Sequence, residues 1–316
     1  MFQTKIELLY TRGYKINRVL SFSFAFILAV IIAGIFSHPP YGIKLAYDMR
    51  ALAGISVFLL SNLYFTRKYR KRKTVISTPY PDDWSIILKE HVPYFNQLGN
   101  DEKYYFIKKI QIFLEEVMIT GVNMEVDEVT KVLIGAAAII PVFKIPDWNY
   151  SHVSDVFICK DNLHENIELL KCKDDVLGLV VHNKTSVYLS RNTLIDNFKK
   201  SNGYNIGIHE FVHKIDEKSG AIDGIPPEPI LSKKDRKKWK KIIDYEMEKI
   251  RQNESDFREY ALTSRSEFIA VAAEYFFERP LDMKEKHEAL YYMMARMSRQ
   301  NLAAAVSSEA KNIFRK

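Results

Sequence analysis

Cysteine is almost missing from this chain: Cys159 and Cys172 are the only two in 316 residues. With no C-x-x-C pairing between them, they build neither a zinc knuckle nor a disulfide framework. Free thiols in a reducing compartment are the expected state. Internal repeats and low-complexity tracts are missing too. A basic nucleic-acid-binding domain is a further absence, although the net charge is +7. Residues 1–75 hold 12 Lys+Arg against 2 Asp+Glu, whereas the remainder holds 34 against 37. The basicity therefore belongs to the N-terminal segment. That argues against a nucleic-acid partner and for a charge bias next to a membrane.

Long apolar runs occur only near the N-terminus. Val19 to Phe36 contains no charged residue, and as a helix it spans about 27 Å, close to a hydrocarbon core of about 30 Å. No small-x-small cleavage site precedes Ser37-His38-Pro39-Pro40, so a membrane span is expected rather than a signal peptide. A second run, Ala51 to Phe65, reaches spanning length when extended back to Leu45, which takes in Asp48 and Arg50. Directly after it stands the cluster Arg67-Lys68-Tyr69-Arg70-Lys71-Arg72-Lys73. Basic residues stay on the cytoplasmic side, so both ends inside predicts a two-helix hairpin contacting the bilayer through residues 19–65. The expected location is the bacterial inner (cytoplasmic) membrane, multi-pass, with the following domain facing the cytoplasm. Ser77-Thr78-Pro79-Tyr80-Pro81 reads as a linker, dividing residues 1–75 from a globular domain at 76–316.

Within that domain, the pattern predicts helices at 84–97, 101–118, 127–140, 233–252, 264–278 and 284–308. The Lys-dense 233–252 helix presents a solvated face. The Ala-rich piece Ile134 to Ala138 suits close helix packing. Strands are expected at Asp155–Cys159, Leu177–His182 and Thr185–Ser190, the last two joined as a hairpin through Asn183-Lys184. The fold class is α+β: a mainly helical domain with a small sheet, preceded by two transmembrane helices.

The most informative stretch is GYNIGIHEFVHKID, residues 203–216. His209-Glu210-Phe211-Val212-His213 reads H-E-x-x-H. On a helix, residues four apart share a face, so both imidazoles reach one metal ion while Glu210 sits beside them to take a proton from water. Ile206, Ile208, Phe211, Val212 and Ile215 supply apolar faces for burying that helix, and Gly220 suits a left-handed cap at its end. A catalytic zinc needs a third protein ligand. No histidine follows at the H-x-x-G-x-x-H spacing, and His287 is the only later one. The candidates are Glu267, Glu274 and Glu278, on an otherwise apolar helix where a carboxylate is costly unless paired or metal-bound. Glu267 and Glu274 are seven apart and lie nearly on one face. Either completes the ligand set while the other orients a ligating histidine from behind. Ser264-x-x-Glu267 is also a capping box, a role for Glu267 that needs no metal. From the residues alone the choice between positions 267 and 274 stays open. Asp216, seven after His209, is read equally as a partner behind the ligands or as a cap or salt-bridge residue.

HEFVHKID, the GAIDGIPP loop and EYALTSRSEFIAVAAEYFFERP together resemble the Mlc titration factor A family of bacterial zinc peptidases. The likeness covers most of residues 80–305. It implies a zincin-like fold, related in layout to the zinc domain of anthrax lethal factor. It also implies one zinc ion on His209, His213 and Glu267, with Glu210 as general base, Glu274 behind the ligands, and Tyr260 facing the reacting carbonyl. The hairpin at 1–75 departs from the family's best-known members, which are soluble. The expected function is thus a membrane-anchored zinc metallopeptidase acting on a peptide or protein substrate, with aminopeptidase-like activity implied by the resemblance. The other reading is a membrane-tethered protein that sequesters a transcriptional regulator, as the family's name-giving member binds the glucose repressor Mlc, with zinc mainly structural. Strand Thr185–Ser190 offers an edge for an extended substrate backbone. Intramembrane proteolysis is disfavoured because the motif lies far from both apolar runs.

Overall fold

A computed structural model describes residues 15–16, 18–28, 30–31, 47–146, 148–160, 185–218 and 220–304. The chain separates into two compact units, Met1–Pro79 and Tyr80–Lys316.

In the first unit, residues 18–28 are helical (α1) and Tyr47–Ser77 forms one helix of 31 residues (α2). Among the described residues no helix is long and apolar enough to cross a membrane, so the expected hairpin is not shown by the structure. The physical reason lies in α2. It runs without a break from the largely apolar Ala51–Phe65 segment into the basic cluster, and those fifteen residues cover only about 22 Å. The first expected span, Val19–Phe36, lies partly outside the described residues. Phe22, Phe26, Leu52 and Leu60 are exposed, so the unit does present apolar side chains outward.

The second unit opens with α3 (Asp83–His91) and α4 (Pro93–Asn96), which replace the expected single helix at 84–97. Pro93 makes the break, because the residue before a proline avoids helical backbone, and Val92 sits at φ −115°, ψ 92°. Next come α5 (Asn100–Glu116) and β1 (Met118–Val122). α6 (Glu128–Ile139) is capped by the Asp127 side chain, which accepts from Thr130 N at 2.8 Å. It passes into a 3-10 turn at Ile140–Val142. β2 (Asp155–Cys159) and β3 (Ser186–Ser190) complete a parallel sheet of order β1-β2-β3, with Met118 opposite Asp155 and Asp155 opposite Ser186. Leu177–His182 and the Asn183-Lys184 turn, the other half of the expected hairpin, lie outside the described residues. Cys159 is buried, its thiol donating to Leu189 O at 3.7 Å.

β3 leads into α7 (Arg191–Lys200), then α8 (Ile206–Glu217), the motif helix. α9 (Arg236–Arg251) is followed by a 3-10 turn at Glu259–Leu262 and by α10 (Arg265–Glu278). The expected helix at 284–308 lies outside the described residues beyond 304, and before that it is divided into α11 (Pro280–Lys286) and α12 (Glu288–Ser298). They separate at His287, whose side chain is engaged elsewhere, and α12 stops at Arg299, with φ +59°.

Two close approaches fix α8. A methyl group on Gly207 would sit 2.6 Å from the Ala137 Cβ and 2.7 Å from the Leu194 Cδ1, so the first turn lies directly against the Ala-rich face of α6. One turn on, the fully buried Phe211 packs edge-on against Phe113 and Tyr150 at 5.5 and 5.4 Å between ring centres. Burying such a ring contributes about 2–3 kcal/mol. With its apolar side held by α6 and α5, α8 turns its histidines toward α10.

Candidate metal centre

The site begins with two N-caps. Asn205 starts α8, its side chain accepting from Ile208 N at 3.1 Å. Ser264 starts α10 by accepting from Glu267 N at 3.0 Å. Half of the capping box expected at Ser264-x-x-Glu267 is therefore made. Its other half is not, because the Glu267 carboxylate turns toward the histidines. Glu267 Oε2 lies 3.0 Å from His209 Nε2 and 3.3 Å from His213 Nε2, and the two nitrogens are 3.1 Å apart. The structure thus brings His209, His213 and Glu267 together, and among the described residues they are the one group of this kind able to hold a metal.

The hydrogen-bond partners behind the triangle define which lone pairs face inward. Glu274, almost fully buried, accepts from His209 Nδ1 at 2.6 Å, since an ionised carboxylate cannot donate. Ser266 Oγ donates to Asp216 Oδ2 at 3.1 Å and so accepts from His213 Nδ1 at 3.1 Å. Both Nε2 atoms therefore point lone pairs at the same place as Glu267 Oε2, which is buried and has no hydrogen-bond partner. Three converging electron pairs repel one another unless a cation joins them. Tetrahedral zinc with ligands at about 2.0–2.2 Å sets its donors about 3.3 Å apart, so the observed triangle suits that ion.

Electrostatics point the same way. The neighbouring His209 lowers Glu267 to about 2. Burial lowers His209, but Glu267 and Glu274 outweigh it and raise this imidazole to about 9. His213 is lowered by burial and by His209. The pocket has a strong affinity for one positive charge. Burial raises Glu210, the residue between the ligand positions, to about 7.

Tyr260, on the 3-10 turn before α10, is half exposed, with its ring centre 6.1 Å from that of His209. Burial and the charge of Glu267 raise its phenol. Asp216 is linked to His213 through Ser266 Oγ. It holds Ser266 from α8 and accepts from Gly224 N at 2.8 Å, tying the following loop to the site. Glu278, the third carboxylate considered for the metal, accepts from Gly203 N, Tyr204 N and Asn205 Nδ2 at 2.9–3.2 Å and so braces the start of α8. Two residues here were missed from the sequence: Ser266 and Asn205. Only Asn205 carried a local signal, as an N-cap residue type three positions before an apolar turn.

Two histidines one helical turn apart and a carboxylate from a second helix, each supported from behind, define a metallopeptidase-like centre. The sequence signature of the glucose-regulated metallo-peptidase M90 family matches residues 66–299, and the chain belongs to that family. It is 25% identical over 244 residues to an uncharacterized protein of Synechocystis, covering 71% of this chain and 86% of that one. It is also 27% identical over 241 residues to Mlc titration factor A of Edwardsiella ictaluri, covering 71% and 88%.

Proposed function

We propose that the chain is a zinc-dependent peptidase whose ion is held by His209, His213 and Glu267. The observation that carries this reading is the triangle of donor atoms 3.0–3.3 Å apart, drawn from two helices and backed by Glu274 and Ser266. When bound there, zinc supplies a Lewis acid that makes water acidic at a pKa of about 7 and polarises a carbonyl. Glu210 takes the proton of the attacking water and hands it to the departing amine. Seated on α8 between the two histidines, its carboxylate is placed for both transfers. The Tyr260 phenol donates to the carbonyl oxygen as negative charge develops on it. The substrate is a peptide, cleaved in an aminopeptidase-like manner, with its backbone extended along β3.

The bilayer is the proposed location, with the peptidase unit on the cytoplasmic side of the bacterial inner membrane. The exposed apolar side chains of Phe22, Phe26, Leu52 and Leu60 and the Arg67–Lys73 cluster support association with anionic lipid. A second reading is favoured by the name of the relatives, Mlc titration factor A: the chain sequesters a transcriptional regulator.

Glu210→Gln separates the two. We expect zinc content equal to wild type and loss of peptide-library hydrolysis by about 10²–10⁴-fold. Wild-type hydrolysis by the variant would refute the peptidase reading, and a cellular phenotype that survives the change would favour sequestration.

A further inference from the structure

Arg258 stands one step behind the cluster and has no part in the steps above. Its Nη2 donates to Glu274 Oε1 at 2.5 Å and its Nη1 to Oε2 at 3.3 Å. Glu274 Oε1 is the same oxygen that accepts from His209 Nδ1 at 2.6 Å. The guanidinium also lies 3.9 Å from the ring centre of Tyr204 and 5.6 Å from that of Tyr260. One planar cation therefore meets both halves of the site, the imidazole through a shared carboxylate and the phenol through its ring.

The chemistry of Glu274 requires such a partner. The side chain is 1% exposed, and a carboxylate that deep is strongly destabilising without a compensating charge. Left with His209 alone, it would draw the Nδ1 proton toward itself and change how the opposite nitrogen donates. Arg258 divides the negative charge and holds both oxygens in one plane. Asn205 N, donating to Oε2 at 2.7 Å, fixes that plane relative to α8. Arg258 Nε is buried with no hydrogen-bond partner, so the terminal nitrogens and the rings hold the guanidinium in place. It borders a cavity of about 70 Å³ lined also by Tyr204, Phe257, Tyr275 and Arg279, which leaves room for a small cation to enter if the side chain is removed.

We infer that Arg258 is a positioning residue, aligning His209 through Glu274 and Tyr260 through its ring. This inference rests on the zinc-site reading above. A lysine in its place, being a point charge, would not span two carboxylate oxygens while keeping both ring contacts.

The test uses the full chain with Arg258→Ala and Arg258→Lys. Zinc affinity, measured by chelator competition, should fall about 10–100-fold in both, the range typical of losing a partner behind a ligand. Millimolar guanidinium ion should restore most of that loss in Arg258→Ala, and methylammonium should not. In hydrolysis, kcat should fall with KM nearly unchanged, and adding Tyr260→Phe should cost less than it does in the wild type. Wild-type zinc affinity in either variant would overturn the inference. So would a loss in Arg258→Lys that only tracks a lower melting temperature, or a loss in Arg258→Ala indifferent to guanidinium. If the wild type binds zinc but hydrolyses nothing, the peptidase reading fails while the affinity series still decides the role of Arg258.

Discussion

Tyr260 is the residue whose role is most sharply exposed to measurement. It is half exposed, outside any long helix, and close to His209 without holding it in place. Replacing it with Phe removes one hydroxyl and little packing. We expect kcat to fall about 10²–10³-fold with KM and zinc content unchanged, the usual cost of losing one donor to a developing oxyanion. Metal analysis beside steady-state kinetics checks this. Residues at this scale differ in how well the sequence announces them. His209, Glu210 and His213 were legible because four-residue spacing on a helix is itself a geometric statement. Glu267 and Glu274 were legible as a pair, since carboxylates on an apolar helix need a reason. Which one turns to the two Nε2 nitrogens was not legible from spacing, because a seven-residue separation leaves them on one face and only the docking of α8 decides. Ser266 and Arg258 were illegible for the same kind of reason: each acts on a segment distant in sequence.

Elements were read well where one periodicity held and poorly where a single residue broke it. α6, α8 and α10 follow the apolar pattern to within a residue or two. The splits at Pro93 and His287 depended on local backbone that the pattern ignores. β1 was missed because its side chains do not alternate cleanly between buried and exposed. The loop after α8 shows how elements are joined around the site. Gly224 donates to Asp216 on α8, accepts from Trp239 Nε1 on α9 at 2.7 Å, and has φ +73°. A methyl group there would lie 2.4 Å from the Arg265 carbonyl oxygen, two residues before Glu267. Gly224→Ala should therefore destabilise the protein by about 1–3 kcal/mol, from the left-handed backbone and the clash together. A lowered melting temperature and weaker zinc binding should appear together, and thermal unfolding with and without zinc tests this.

At the scale of the whole molecule, two measurements address what holds the second unit together. Away from the site, His287 bridges Glu246 on α9 at 2.7 Å and Asp256 at 2.8 Å, and Asp256 also accepts from Tyr275 OH and Lys286 Nζ. Burial pushes Asp256 upward, but these three donors win and hold it well below its ordinary 3.8. A carboxyl depressed in the folded state stabilises it above the ordinary value and loses that effect as pH falls. Wild type should exceed Asp256→Asn in melting temperature at pH 7, and the gap should close below about pH 4. The second measurement is metal removal. An ion held by the proposed ligands in the folded state alone, at a thousandfold excess over its Kd, would contribute about 4 kcal/mol to folding. A chelator should lower the melting temperature by several degrees, and zinc should restore it. No change on chelation would mean the triangle holds no ion in solution.

The acidic stripe of α10 carries one last consequence. Glu267, Glu274 and Glu278 each meet α8 or its lead-in, one at the imidazole tips, one at an imidazole flank and one at the opening backbone. Insert a single residue between the first two, and the ends of the helix swing about 100° out of phase. No rigid rotation then returns all three to their posts, so natural variation in length should fall in the loops around this pair of helices and spare the pair itself.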